Sequence, residues 1–223
     1  MKLAELEGRY WCAERRSVLQ RVLARHRGPG WAADVGAAAG GNTPVLQRMG
    51  WRAVGLEHVE PGATPACGRG QPACRADGQA LPLQSGSCGL VVALDLLEHL
   101  PDDRRAAREM RRVLRPAGTL VVSVPANPGS WSPHDDAVSH LRRYTRPSLQ
   151  LLLEEAGLEV QRLWCWNVLP RPLPGTRRSG LALEHHLPVP RRPGASLFAV
   201  CTPRAEAPRA AASSSATSPG RSG

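Results

Sequence analysis

Four carboxylates, Asp34, Glu57, Asp77 and Asp95, stand where strands are predicted to end or where the loops after them begin. Asp34 opens the stretch Asp34-Val35-Gly36-Ala37-Ala38-Ala39-Gly40-Gly41-Asn42-Thr43, which leads into a helix through Pro44-Val45-Leu46. Gly36, Gly40 and Gly41 let the backbone turn sharply and let a ligand approach it closely. A strand, a glycine loop and a helix form the nucleotide-binding corner of doubly wound α/β folds. The middle position of a G-x-G-x-x-G count is Ala38. Carboxylates beside such a loop repel a phosphate and suit a ligand carrying hydroxyls and positive charge. Glu57 lies 21 residues past Gly36, close to the spacing at which an acid grips a ribose diol. Taken singly, each acid reads as a helix cap or a solvated loop residue. Four at consecutive strand ends make a site.

These groups need a scaffold, and the chain supplies alternating elements. Leu6 to Arg25 carries Trp11, Val18, Leu19, Val22 and Leu23 at helical spacing and predicts an opening helix, ended by Gly28-Pro29-Gly30. Trp31 to Asp34 reads as a buried strand, and Trp51 to Glu57 as a second. Between Pro61 and Cys74 a crossover helix is expected, although Gly and Pro recur there and helical periodicity is poor. Gly89 to Asp95 is a continuous apolar run suited to a central parallel strand. Asp102 is placed to cap a helix running to Leu114, with Ala106, Met110, Val113 and Leu114 inward. Pro116-Ala117-Gly118 turns into the strand Thr119 to Pro125, and a long polar loop follows. Thr145 is placed to cap a helix that starts at Arg146-Pro147 and ends at Ala156-Gly157. Leu158–Leu163 and Ser196–Val200 read as the last strands, separated by a Pro/Arg-rich insertion at 170–194. The expected organisation is one domain over 1–203 and a disordered Ala/Ser/Pro/Arg tail over 204–223. Alternating strands and helices imply a mostly parallel sheet.

Composition narrows the function classes. The 223 residues are 42% hydrophobic, and no run approaches a membrane span. The acidic, amphipathic start Met1 to Glu7 does not read as a secretory signal, so a cytoplasmic protein is expected. Six cysteines (12, 67, 74, 88, 165 and 201) form no CxxC pair, and free thiols are expected, Cys67 and Cys74 included. The net charge of +10 rests almost wholly on arginine, since Lys2 is the only lysine. The arginines fall in dispersed pairs rather than in a stripe that would track phosphates, so a nucleic-acid partner is not expected.

Five segments carry a resemblance. They are Asp34 to Thr43, Gly55-Leu56-Glu57, Ala76-Asp77-Gly78-Gln79-Ala80-Leu81-Pro82, Asp95-Leu96-Leu97-Glu98-His99-Leu100 and Leu114 to Leu120. In this order and spacing the chain resembles class I S-adenosylmethionine-dependent methyltransferases. It looks like the branch with a D-x-L-E-H-L segment and a later H-x-R-R-Y-T segment, here His140 to Thr145. The resemblance implies a Rossmann-like α/β fold, a seven-stranded, mostly parallel sheet flanked by helices. It implies S-adenosyl-L-methionine as cofactor, with Asp34, Gly36, Ala38 and Gly40 lining its methionine end. Glu57 would take the ribose hydroxyls, and Asp77, Gly78 and Gln79 would face the adenine. Asp95, Leu96 and His99 would border the methyl group and a small-molecule acceptor. The cofactor is a sulfonium with an ammonium and no phosphate, which agrees with the charge of the site. Three departures stand out: Ala38 for a usual glycine, Cys88-Gly89 for a usual aromatic-Asp pair, and the irregular segment after Glu57.

Methyl transfer asks the protein chiefly for alignment and desolvation. His99 and Asp95 are the candidate catalytic residues, with His99 as base for a hydroxyl or amine acceptor, because an imidazole titrates near neutrality. The alternative for His99 is a structural bond to the backbone. His134-Asp135-Asp136 with His140 has metal-ligating types without helical ligand spacing, so a lid over the acceptor is expected there and no metal. Arg142, Arg143 and Tyr144 are candidates to grip an anionic or aromatic acceptor, or else a solvated helix start with a packed tyrosine. Two rival functions remain: a nicotinamide dehydrogenase, which Gly36, Gly41 and Glu57 partly fit, and a non-catalytic methyltransferase-like binding module.

Overall fold

A computed structural model describes residues 10–24, 26, 28, 30–38, 41–58, 72–166 and 195–205. Gly40, the insertion at 170–194, residues 206–223 and most of the expected 61–74 crossover lie outside the described residues.

The apolar run after Ser87 becomes β4 (Cys88–Leu94), buried along its whole length at the centre of the sheet. Its side chains divide by the period of two that a pleated strand imposes. Val91 and Ala93 face one core, and Leu90, Val92 and Leu94 face the other. To one side lie β1 (Trp31–Val35), β2 (Arg52–Glu57) and β3 (Ala73–Arg75), all parallel. To the other lie parallel β5 (Leu114–Pro125) and then β7 (Ser196–Pro203), antiparallel to both its neighbours, with β6 (Leu158–Trp166) at the edge. The order is β3-β2-β1-β4-β5-β7-β6, a seven-stranded, mostly parallel sheet as expected.

Helices cover both faces. α1 (Tyr10–Leu23) and α2 (Thr43–Arg48) lie over one, where Val18, Leu19, Leu23, Val45 and Leu46 meet Leu90, Val92 and Phe198. α3 (Asp103–Val113) lies over the other, burying Ala106, Met110 and Val113. The short α4 (Pro133–Ala137) follows β5, and α5 (Arg146–Glu155) adds Leu149, Leu152 and Leu153 to the same core as α3. Both predicted caps form: Asp102 accepts from Arg105 N at 2.8 Å, and Thr145 from Ser148 N at 3.2 Å.

Three elements depart from expectation. The expected turn at Pro116-Ala117-Gly118 lies inside β5, which starts at Leu114 directly after α3. The end of the expected crossover helix is strand: Ala73 and Cys74 belong to β3, a three-residue edge strand with too few residues to show alternation. The polar loop after β5 is structured, holding a 3₁₀ turn at Pro128–Ser130 and then α4, whose capping box ties Ser132 to Asp135. The Cys88-Gly89 departure has a packing reason. A Cβ on Gly89 would lie 2.9 Å from both the Trp51 ring and the Arg115 guanidinium, so those two side chains fill its space.

Candidate active site

Strand order reverses between β1 and β4, and the crevice beyond their carboxyl ends is where open α/β sheets bind ligands. The four predicted acids occupy that edge. Asp34 precedes the last residue of β1, Glu57 ends β2, Asp77 follows β3 and Asp95 follows β4.

The four do not present themselves alike. Asp34 is wholly buried beneath the loop, its Oδ2 accepting from Thr43 Oγ1 at 2.8 Å and its Oδ1 from Asn42 Nδ2 at 3.4 Å. Burial raises its pKa to about 6, against the opposing hydrogen bonds and the nearby Arg15 charge. Glu57 turns back onto the loop: Oε2 accepts the Ala38 amide at 2.7 Å and Oε1 accepts the His58 amide at 2.8 Å. The strand-end acid and the odd residue of the glycine motif are therefore joined directly. Ala38 stands at φ +47, a left-handed conformation that glycine adopts without cost.

Asp77 Oδ1 accepts from Gln79 N at 2.8 Å and Gln79 Nε2 at 3.2 Å, and the bond from the Gln79 amide foremost holds its carboxyl below the ordinary range. Gln79 Oε1 in turn accepts the Asp102 amide at 3.0 Å, linking this loop to the start of α3. Gly36 and Gly78 converge on Leu96. A Cβ at Gly36 would lie 2.8 Å from Leu96 Cδ1, and one at Gly78 would lie 3.6 Å from Leu96 Cδ2 and 3.2 Å from Leu100. Leu96 thus closes the floor where the β1, β3 and β4 loops meet.

Asp95 carries φ +54, a left-handed conformation just beyond the end of β4. Its Oδ1 accepts from Ser123 Oγ of β5 at 2.7 Å, and its Oδ2 pairs with Arg15 of α1. Arg15 is a site residue the sequence reading passed over. Its signal is visible, because Trp11, Arg15, Val18, Leu19 and Val22 fall on one helical stripe that a charged residue has no ordinary reason to join.

After Asp95 a 3₁₀ turn, Leu97–His99, buries the Glu98 carboxylate completely, and neither of its oxygens has a hydrogen-bond partner. Burial, with the charge of Asp95 second, pushes Glu98 well above the usual carboxylate range. His99 Nδ1 donates to Ser139 O at 3.3 Å, and burial followed by the neighbouring His140 lowers its pKa. The two imidazoles meet edge to face, centroids 4.9 Å apart.

The segment from α4 to α5 is braced. Arg143 forms a two-pronged bond to fully buried Asp135, 2.8 Å on each side, and donates to Ala126 O at 3.1 Å. His140 Nδ1 donates to the same carboxylate at 2.8 Å. Tyr144 is buried, its hydroxyl 2.8 Å from Asp103 Oδ2, and Arg142 pairs with Asp103 at 3.0 Å. Arg142 and Arg143 are therefore engaged within the chain. Donor atoms of Glu98, His99 and His140 all lie within 4.8 Å of one another. His134, Asp135 and Asp136 do not form such a group among the described residues: Asp135 is held by Arg143, and Asp136 accepts from the Trp131 indole at 3.1 Å.

Among the described residues no helix is long and apolar enough to cross a membrane. Cys74, Cys88, Cys165 and Cys201 are free thiols.

Residues 33–122, from within β1 to within β5, match the family model of a methyltransferase domain. A methyltransferase of uncharacterised function from Mycobacterium sp. (strain KMS) is 34% identical over 122 residues, covering 51% of this chain and 48% of the relative. A Mycolicibacterium smegmatis protein named as a probable S-adenosylmethionine-dependent methyltransferase is 31% identical over 160 residues, covering 70% of this chain and 62% of its own length. The chain thus spans about half the length of the first of these curated relatives. Among solved structures, an S-adenosylmethionine-dependent methyltransferase from Mesorhizobium loti superposes with a TM-score of 0.63 at 19% identity, over 82% of this chain and 95% of that one. Sheet order, the loops at its carboxyl edge and these likenesses agree: the chain has the class I methyltransferase fold, and its residues 33–122 carry a methyltransferase domain.

Proposed function

We propose that this chain binds S-adenosylmethionine at the carboxyl edge of β1, β2, β3 and β4 and transfers its methyl group to a small-molecule acceptor in the cytoplasm. The observation that carries the reading is the Glu57–Ala38 bond, which sets the strand-end carboxylate against the loop where a ribose diol would be gripped. The Ala38 amide uses one lone pair of Oε2 and the His58 amide one of Oε1, so the carboxylate keeps capacity for two hydroxyl donors. The absence of a side chain at Gly36 and Gly78 lets Leu96 and Leu100 pack against the loop backbone and form an apolar floor on which a flat adenine and a methionine chain would rest. Gly40 belongs to the same loop in the proposal, and Asp77 with Gln79 holds the adenine side through the bonds that shape their turn.

Asp34 acts beneath the loop, fixing Asn42 and Thr43 and supplying negative charge below the cofactor's ammonium. Asp95 and His99 border the reacting methyl. Burial lowers the His99 pKa and so favours the neutral ring, the form in which an imidazole can accept a proton from a hydroxyl or amine. The acids at this edge disfavour a dinucleotide pyrophosphate, which weighs against the dehydrogenase reading.

The test is turnover. Purified protein with S-adenosylmethionine and a panel of phenols, catechols, amines and carboxylic acids is assayed for S-adenosylhomocysteine. The reading expects acceptor-dependent product that Glu57→Ala lowers mainly through the cofactor's KM. Binding of the cofactor with no product across the panel would favour the non-catalytic alternative.

A further inference from the structure

Glu98, His99 and His140 each turn a potential ligand atom to one place, all within 4.8 Å of one another. His140 Nδ1 donates to Asp135 and His99 Nδ1 donates to the Ser139 carbonyl, so each bond fixes the tautomer and leaves a lone pair on Nε2. Glu98 adds a wholly buried carboxylate with no hydrogen-bond donor on either oxygen. Buried carboxylates are ordinarily paired, because an unpaired one is strongly penalised. The nearest candidate, His140 Nε2, stands 3.9 Å from Glu98 Oε1, which is too long for a hydrogen bond. A cation between the three would satisfy all of them.

We propose that Glu98, His99 and His140 bind one divalent transition-metal ion of the zinc class, in a site of two histidines and one carboxylate beside the methyl-transfer locus. Ligand atoms about 2.0–2.2 Å from such an ion lie roughly 3.3–3.5 Å apart in a tetrahedron. The 3.9 Å Glu98–His140 separation and the 4.8 Å span of the trio close to that by small side-chain rotations. The outer shell is built as metal sites require. Asp135 holds the far nitrogen of His140, and Arg143 and Ser132 hold Asp135 in turn. The Leu141 amide donates to Glu98 O at 2.8 Å, pinning the strap that carries His140 onto the turn that carries Glu98 and His99.

Three protein ligands leave coordination open on the half-buried side of the two rings. The use of that opening rests on the methyl-transfer reading: it would hold an acceptor oxygen whose proton passes to solvent on that open side, with His99 then a ligand rather than the base. Ion binding itself does not rest on it.

The experiment uses tag-free full-length protein stripped with a chelator and titrated with cobalt(II) chloride alone, without cofactor. The expected result is visible d–d absorption saturating at one ion per chain. Glu98→Gln and His140→Ala should each weaken it at least about tenfold, with far-ultraviolet circular dichroism unchanged. Glu98→Gln is nearly isosteric and carries the test if His140→Ala does not fold. No saturable absorption, or affinity in Glu98→Gln equal to that of the original chain, would overturn the proposal. A separate S-adenosylmethionine titration keeps failure of this site distinct from failure of the cofactor site.

Discussion

Asp34 illustrates how a single buried carboxylate couples the cofactor loop to pH. Its pKa in the folded chain is about 6 against an ordinary 3.8, so folding favours the protonated form. Below the ordinary value both states hold the proton and there is no penalty. As pH rises through the interval the unfolded chain releases it first, and above about 6 folding carries a constant cost of about 3 kcal/mol. Asp34→Asn keeps an acceptor for Thr43 and removes the charge. Denaturant titrations should therefore show the stability of the original chain falling by up to about 3 kcal/mol relative to Asp34→Asn between pH 4 and pH 7. A pH-independent difference would contradict the assignment. Ala38 offers a second residue-scale test. At φ +47 a Cβ costs about 1 kcal/mol, so Ala38→Gly should raise stability by up to that amount and leave cofactor affinity no weaker. A loss of stability would mean that the methyl group packs productively.

At the scale of elements, the braced segment between β5 and α5 is the part least like its sequence. Read along the chain, Ser132 to Tyr144 is a polar loop with scattered charges, and a lid is the natural expectation. In the fold Asp135 gathers Arg143, His140 and Ser132 into one buried network, which no local pattern reveals because its members meet only through tertiary structure. Arg143→Met should destabilise the protein by roughly 3–5 kcal/mol, because it strands a buried carboxylate. A change below about 1 kcal/mol would restore the picture of a solvated lid. Caps and central strands were legible for the opposite reason. Asp102, Thr145 and the Gly89–Leu94 run act through neighbours within a few residues or through simple burial. β3 was not legible, since Ala73-Cys74-Arg75 is held by pairing with Gly55, Leu56 and Glu57 rather than by any pattern of its own. Of the site, the acids were legible by position but not by direction. Nothing in the sequence says that Asp34 turns under the loop while Glu57 turns onto it.

At the scale of the molecule, the site depends on a sheet whose two cores must both be filled. Phe198 on antiparallel β7 is wholly buried, with Trp164 stacked at 5.4 Å and Trp166 edge-on at 5.5 Å. It locks the β6–β7 pair to the face that α1 covers, and α1 delivers Arg15 to Asp95. Phe198→Ala should cost about 3–5 kcal/mol in global stability. A loss under about 1 kcal/mol would show that this edge folds apart from the β1–β4 crevice. Cofactor binding in that crevice is read by calorimetric titration with S-adenosylmethionine, with Glu57→Ala and NADH alongside. Saturable micromolar binding of the methyl donor is expected, weakened tenfold or more, about 1.4 kcal/mol, in Glu57→Ala, with no comparable binding of NADH. Tight NADH binding, or S-adenosylmethionine binding indifferent to Glu57, would contradict the proposed cofactor site.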